Sequence, residues 1–392
     1  MTSKLRIIVS GLIAQHPLGG VTWFYLQYAT GLARLGHDVF YVEDTGEWPY
    51  RLDGSFGPAA MAPDCSFNVS YLADVMARFG LADKWAYRCP LENRWFGLSD
   101  ERRTAVVESA DLLINVSGTI ERPEDYVRIP RRAYIDTDPV FTHVRLARGD
   151  KDICHWVSHH NVHFSYAEST SADMPATRYH WRPTRAPIVL SEWRPSEPRR
   201  DVFTTIMNWT SYESEVFEGR TYGQKDVEFR RFLDLPRLVA PTVLELAIGA
   251  GHGERTPYEL LASKGWRLVD PMQVCPDLDS FRTYTESSMA EWGVAKNGYV
   301  VGKSGWFSER TARYLAAGRP VVVQDTGFCG ILPVGEGILP FLTMEEAAEG
   351  IRQVQGDYTR HAVAARAIAQ EYFDSDRVLS RLVEEAMTCG DL

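Results

Sequence analysis

The sequence lacks several features that would each have named a class of protein. No run approaches the roughly 20 consecutive apolar residues of a membrane-spanning helix, so no membrane span is expected. Met1 to Gly11 passes straight into a strand with no cationic-then-apolar leader, and a cytoplasmic protein is expected. Cysteine is scarce: Cys65, Cys89, Cys154, Cys275, Cys329 and Cys389 are scattered and form no CxxC pair. That pattern argues against a disulfide frame or a thiolate zinc site, and free thiols are expected. Excess positive charge is also missing. The formal charge is -10, and nucleic-acid binding is dominated by Lys and Arg on phosphates, so no nucleic-acid partner is expected. Local basic spots can still hold a small phosphorylated ligand. Internal repeats and low-complexity tracts are absent too.

What is present is a globular composition, 45% hydrophobic and 24% charged, over 392 residues, a length that divides most naturally into two domains. The opening reads strand, glycine loop, helix, strand: "LRIIVSG", "LIAQHPLGG", "VTWFYLQYATGLARLG", "HDVFYVED". Val21, Phe24, Tyr28, Leu32 and Leu35 recur at helical spacing between short apolar runs, which is a βαβ unit. "DLLINVSG" and "RRAYIDTD" continue the set, with a helix beginning near Ser99. After the Pro-rich "RPTRAPIVLSEWRPSEPRRD", a second set contains "VFTTIMNW", "TVLELAIG", "GWRLVDP", "NGYVVG" and "RPVVVQDTG" as strands. The expected division is a first domain over 1–186, a second domain over 187–372, and a C-terminal helix over 373–392 that packs back across the boundary. Two parallel α/β halves put the ligand cleft between them, at the carboxyl ends of the strands. A homodimer is left open.

The most informative stretch is "SGWFSERTARYLAAGRPVVVQDTGF", Ser304 to Phe328. Ser308 is a suitable N-cap, Gly318 a suitable residue beyond the C-terminus, and Pro320 stops the helix, which predicts a helix over 309–317. Its first turn carries free amides and partial positive charge, and Gly305 lets a ligand approach the backbone, so an anion site is expected there. The strand "VVVQ" then delivers Asp325, Thr326 and Gly327 to the same rim. A diphosphate on the helix end would leave an attached polyhydroxylated group near that carboxylate.

These residues carry a resemblance. "SGWFSERTARYLAAGRPVVVQDTG" resembles the donor-binding segment of GT-B glycosyltransferases of the retaining family-four type, and "PLGGVTWFYLQYATGLARLGHDVFYVED" resembles that superfamily's opening. The resemblance implies two Rossmann-like doubly wound domains facing across a cleft. It further implies a nucleoside-diphosphate-sugar, as co-substrate rather than cofactor, on the C-terminal domain, and a small-molecule acceptor, possibly a natural product, on the N-terminal one. Both glutamates of the family motif are absent, since Gly305 and Arg313 stand at their positions. Glu309 is left to grip ribose or to pair with Arg313 one turn on. The implied donor-binding set is Asn208, Lys225, Lys296, Gly305, Trp306, Ser308, Glu309, Arg310, Asp325, Thr326 and Gly327, with Lys225 or Lys296 neutralising the diphosphate. Gly19 and Gly20 form the implied acceptor or phosphate loop.

For the acceptor proton, His16 stands in the first strand-to-helix loop, and its ordinary pKa suits a general base at neutral pH. Asp136, Asp111 and Asp138 are candidate orienters or alternative bases. "YIDTDP" offers a DxD pair, but turn chemistry explains it equally and no essential metal is expected. In "CHWVSHHNVH", His155 and His159 fit one helical face, as zinc ligands do. Val162, Phe164 and Tyr166 alternate as a strand would, which argues against that helix.

Three rivals stand beside this reading. "VLELAIGAGHGE", Val243 to Glu254, looks like the glycine motif of S-adenosylmethionine-dependent methyltransferases, with Asp270 ending the next strand. A dinucleotide-dependent oxidoreductase would use Glu43 on ribose. An epimerase of GT-B shape shares the donor site.

Overall fold

The computed structural model describes residues 4–51, 61–169, 171, 173–251 and 254–388. Cys389, Gly253 and residues 52–60 lie outside them. The short apolar runs form two mainly parallel sheets. The first contains β1 (Arg6–Ser10), β2 (Asp38–Glu43), β3 (Trp85–Cys89), β4 (Arg94–Gly97), β5 (Leu112–Val116), β6 (Arg131–Asp136), β7 (Val162–Ser165) and β8 (Trp181–Pro183). Its order is β4-β3-β2-β1-β5-β6-β7-β8, with β3 and β4 antiparallel. The chain then makes β9 (Val202–Asn208) and a hairpin of β10 (Glu215–Phe217) and β11 (Arg220–Tyr222). The second sheet adds β12 (Val243–Gly249), β13 (Arg267–Val269), β14 (Ala290–Gly293), β15 (Val321–Gln324) and β16 (Ile338–Phe341) to β9. Its order is β13-β12-β9-β14-β15-β16, all parallel. In both sheets the order reverses beside the first strand, which opens a crevice at the carboxyl ends.

Two expectations about elements are corrected. "NGYVVG" is a helix, Asn297–Gly302, because Gly298 packs where a side chain would strike Phe141 and Tyr299 turns inward. The strand position falls to Ala290–Gly293, whose four residues are fully buried and too short to show alternation. Cys65 and Cys89 are not free thiols: they form a disulfide between the N-terminus of helix Ser66–Arg78 and the end of β3. Distance along the chain, 24 residues, gave no hint that the fold brings them together. Cys154, Cys275 and Cys329 are free.

Helix Gly19–Arg34 is buried differently from the expected face: Val21, Phe24 and Leu35 are half-buried, whereas Thr22, Trp23, Leu26 and Ala29 are buried along with Tyr28 and Leu32. It is covered on several sides: by the first sheet, by helix Leu278–Ser287 of the second half and by the C-terminal helix Ser375–Thr388. The C-terminal helix therefore returns to the half in which the chain began. On the way back, the chain pairs with the outgoing segment: the Ile188 amide donates to Phe373 O at 2.7 Å and the Ser375 amide to Ile188 O at 2.9 Å. No helix among the described residues is long and apolar enough to cross a membrane.

The start of helix Gly19–Arg34 also joins the halves. The Gly19 amide donates to Pro276 O at 2.9 Å and Trp23 Nε1 to Leu278 O at 2.9 Å. A Cβ on Gly19 would lie 2.2 Å from the Asp277 carbonyl oxygen, whereas one on Gly20 would meet only the Phe281 ring at 3.0 Å. Backbone cannot yield as a side chain does, so Gly19→Ala is expected to destabilise by about 1–3 kcal/mol and Gly20→Ala by clearly less, as read by urea denaturation.

Candidate functional site

A cavity of about 1140 Å³ lies between the two sheets, at the carboxyl ends of β1, β9 and β12. Four basic side chains line it, Lys225, Lys296, Arg310 and Arg313, all from the second half. Helix Glu309–Ala316 supplies two of them and points its N-terminus at the cavity, with Ser308 accepting the Arg310 amide at 3.2 Å as N-cap.

The four cations are balanced unequally. Arg310 is buried against the wholly buried Glu291, with Nε to Oε1 at 2.5 Å, and donates Nη1 to Ile206 O at 2.7 Å. Lys296 is held by Asp138, Nζ lying 2.9 and 3.1 Å from its two oxygens. Arg313 is 1% exposed, yet its Nε and Nη2 have no hydrogen-bond partner among the described residues. The pairing of Glu309 with Arg313 does not form as an ion pair; Glu309 is half-buried on the cavity wall. Burial pushes the Arg313 guanidinium down to about 10. Lys225, half-buried at the start of helix Lys225–Phe229, has no hydrogen bond or ion pair among the described residues. Burial, then the charges of Arg310 and Lys296, push its ammonium down to about 7. Arg313 and Lys225 thus bring positive charge to the cavity that the N-terminus of helix Glu309–Ala316 also meets, without a hydrogen-bond partner for Arg313 Nε and Nη2 or for Lys225 among the described residues.

Lys296 is the centre of a clasp between the halves. Asp138, on the rim after β6, also accepts the hydroxyls of Tyr212 and Tyr299. The Lys296 ammonium sits 5.1 Å from the Phe141 ring, 4.4 Å from Tyr212 and 5.4 Å from Tyr299. Trp306 stacks on Tyr299 at 4.3 Å and donates Nε1 to Thr137 O at 3.2 Å. Lys296 is thus already neutralised by the opposite half, and Trp306 bridges the same rim.

His16 lines the facing wall, stacked on Tyr50 at 4.4 Å. Burial pushes its imidazole down to about 4, so it is neutral at pH 7 and keeps a free lone pair. No carboxylate reaches its ring within hydrogen-bond distance among the described residues. Its loop is instead fixed by Glu43, which accepts the Ala14 and Gln15 amides at 2.8 and 2.6 Å and the Tyr41 hydroxyl at 2.8 Å. Burial pushes the Glu43 carboxyl up to about 7. Glu43 is therefore committed to protein partners rather than to a ribose.

Several expected site residues lie elsewhere. Asp136 is buried behind the rim: its oxygens accept Thr142 Oγ1 at 2.7 Å, Ser165 Oγ at 2.9 Å and the Asp138 amide at 3.2 Å. It supports the 137–138 turn and does not reach the cavity. Asp111 accepts the Arg6 amide at 2.7 Å, at the opposite end of the sheet. Asp325 caps its own turn, accepting the Gly327 and Cys329 amides at 2.9 and 3.4 Å. Thr326 donates to Trp306 O, and Gly327 packs on Lys303 O. The Gly305 amide donates to Thr326 O at 2.8 Å, so it is not available to an anion. The 325–327 turn thus braces the loop before helix Glu309–Ala316 and does not face the cavity. Gly19 is taken up by the junction with Asp277, leaving Gly20 alone of that pair on the cavity wall. Asn208 stands exposed on the wall at the end of β9.

The methyltransferase-like glycine turn does border the cavity, through Gly249 and Ala250, with Asp270, Met272 and Cys275 beyond it. Its strand, β12, is second in its sheet rather than first, because β9 precedes it and takes the centre. Helix Lys151–Ser158 ends before β7 begins at Val162, so helical and alternating patterns both hold in "CHWVSHHNVH". Sequence reasoning placed no ligand role on Arg313, and gave the Gly249–Asp270 wall one only through the methyltransferase-like motif. The signal for Arg313 was available: it lies four residues after Glu309, on the face that starts at the N-cap.

No family model matches the chain, and no curated protein matches it in sequence. Solved structures do. An alpha-glucosyltransferase in complex with UDP-glucose and DNA containing an abasic site is 14% identical, with a TM-score of 0.59 over 99% of this chain and 100% of that one. Anabaena HepE in complex with UDP and glucose is 10% identical, with a TM-score of 0.55 over 98% and 100%. Sucrose-phosphate synthase from Thermosynechococcus elongatus is 12% identical, with a TM-score of 0.52 over 97% and 98%. At such identities the likeness shows the fold, and the chain has the two-sheet GT-B architecture. The expectation that excluded nucleic acid is corrected by the same finding: a protein of this fold is solved with DNA bound, so net charge does not decide the partner.

Three outcomes follow from the charge pattern without any ligand. Arg313→Met removes a buried charge that has no ion pair, only the field of Glu309 and the Phe281 ring 5.3 Å away, so the free protein is expected to hold or gain stability by about 1 kcal/mol. Glu291→Gln, which breaks a buried pair, is expected to cost about 3–5 kcal/mol; chemical denaturation measures both. Unfolded lysine keeps its proton to about 10.4, so between about pH 7 and 10 the unfolded chain binds more protons than the folded one. Stability contributed through Lys225 therefore rises with pH across that window and is flat below it; Lys225→Met is expected to remove that part of the slope.

Proposed function

We propose that this GT-B chain is a glycosyltransferase that uses a nucleoside-diphosphate-sugar. The observation that carries the reading is the buried Arg313, whose Nε and Nη2 have no hydrogen-bond partner among the described residues, on the wall of the interlobe cavity that Lys225 and the N-cap Ser308 also line. A diphosphate matches that arrangement in charge and in its need for amide donors. Ser308, Lys225 and Arg313 hold the diphosphate, with Arg310 fixed behind them by Glu291. The base and ribose extend along the wall from Asn208 to Asp270, with Glu309 within reach of ribose hydroxyls. The bound structures of HepE with UDP and of the alpha-glucosyltransferases with UDP support this class of donor.

In the reaction, the bond from the anomeric carbon to the diphosphate oxygen breaks and a bond to an acceptor oxygen forms. The acceptor proton passes to neutral His16, and the charge left on the diphosphate is stabilised by Lys225 and Arg313. These cations supply the charge a divalent ion would otherwise bring, so no catalytic metal is invoked. The acceptor side is walled by Leu12, Leu18, Val21, Phe24 and Tyr25, which suits a small molecule with an apolar or planar face. Alpha-glucosyltransferase structures with DNA make a duplex the other acceptor to test.

The test is a melting screen of UDP, UDP-glucose, TDP-glucose and S-adenosylmethionine, followed by UDP release with planar small molecules and with duplex DNA as acceptors. UDP or its sugar is expected to stabilise the protein, and Arg313→Met to weaken UDP binding at least about tenfold. His16→Ala is expected to lower kcat by about 10²–10⁴ with UDP affinity unchanged. Stabilisation by S-adenosylmethionine alone would sink the reading, and conversion of the nucleotide-sugar without acceptor would point to an epimerase.

A further inference from the structure

A second group of side chains, on the far side of the first sheet's edges from the cavity, is not used by this function. His155 lies on helix Lys151–Ser158 and His159 is its C-cap. Four residues apart, they share a face, with ring centroids 4.5 Å apart. Glu124, on the 3-10 turn Pro123–Tyr126, faces them, its Oε2 lying 3.2 Å from His155 Nε2. The ligating atoms of the three residues all lie within 4.8 Å of one another.

An exposed ion pair accounts for Glu124 and His155 but leaves out His159. His159 Nδ1 donates to its own helix, at 2.8 Å from His155 O, which leaves Nε2 as the nitrogen with the lone pair. That nitrogen has no hydrogen-bond partner among the described residues. A backbone carbonyl on the other ring nitrogen is the support that metal-bound histidines characteristically have. The two segments are also fastened together. Arg132 donates Nε to His159 O at 2.8 Å and Nη1 to Val127 O and Ile129 O at 3.0 and 2.6 Å. The backbone beneath the three groups is thereby fixed before any ion arrives.

We propose that Glu124, His155 and His159 form a surface site for a divalent ion of the zinc class. Two imidazoles and one carboxylate are a borderline donor set, which suits zinc with water in the fourth position. Tetrahedral ligands about 2.0–2.1 Å from zinc lie about 3.3 Å from one another; the 3.2 Å between His155 and Glu124 already meets this, and half-exposed His159 closes by rotation. The junction precedes β6 and β7, at the opposite end of those strands from the cavity, so the ion ties two crossover connections together rather than taking part in the reaction.

The experiment is titration of the metal-stripped full chain with zinc sulfate, followed by calorimetry and by the fluorescence of neighbouring Trp156. One equivalent is expected to bind, raising the melting temperature by about 3 °C at a hundredfold excess over Kd. His155→Ala and His159→Ala should each weaken binding at least about tenfold and cut the shift to about half or less at the same zinc concentration. Both side chains are on the surface, so zinc-free melting of the variants within a degree of the parent confirms that they fold. Absence of binding at 100-fold protein excess of zinc, or binding that survives the double variant, would overturn the site. UDP binding is expected to be unchanged by either variant, which separates this outcome from that of the cavity.

Discussion

Positive charge enclosed between two sheets is the constraint around which this molecule is arranged. Four cations reach one cavity, and the fold answers two of them: Glu291 on β14 meets Arg310, and Asp138 crosses from the other half to meet Lys296. Burying a charge without a partner costs several kcal/mol, so Arg313 and Lys225 stand out as costs that the folded chain itself does not offset. Under the proposed function, the two phosphates of the donor offset them. Stability and binding are therefore opposed at these two positions, as is common where a site is held ready for its ligand.

The halves meet through three kinds of contact, each with its own chemistry. Backbone meets backbone where Gly19 approaches Asp277, which only a residue without Cβ permits. Charge and aromatic rings meet at Lys296, with Asp138 and Phe141 from one half and Tyr212 and Tyr299 from the other. Apolar packing joins them along helix Gly19–Arg34, where Trp23 lies against Trp193. The cavity walls are thereby held at a defined separation.

Much of the fold was legible because its signals are local. Alternating strand and helix patterns, the Ser308 cap and the Gly318 stop marked both sheets and the key helix where they occur. What failed depended on contacts distant in sequence. Nothing in "AEWG" shows a buried central strand, and nothing in "NGYVVG" shows the Phe141 ring that makes it a helix. In the site, residues chosen for facing a ligand by position along a strand, such as Asp325 and Asp136, were drawn into turns by nearby amides and hydroxyls. Residues chosen through charge, Lys225 and Arg310, do line the cavity. Arg313 stood where a carboxylate was sought and was passed over for that reason.

The pairing of Ile188 with Phe373 and Ser375 sets how the halves can move. Two chain crossings bonded side by side act as one pivot, so sliding and twisting apart would both break them, while rotation about their common line would not. A relative motion that keeps both of these hydrogen bonds is therefore a rotation about that line. The Gly19, Trp23 and Lys296 hydrogen bonds tie the same halves, so any such rotation has these further bonds to break.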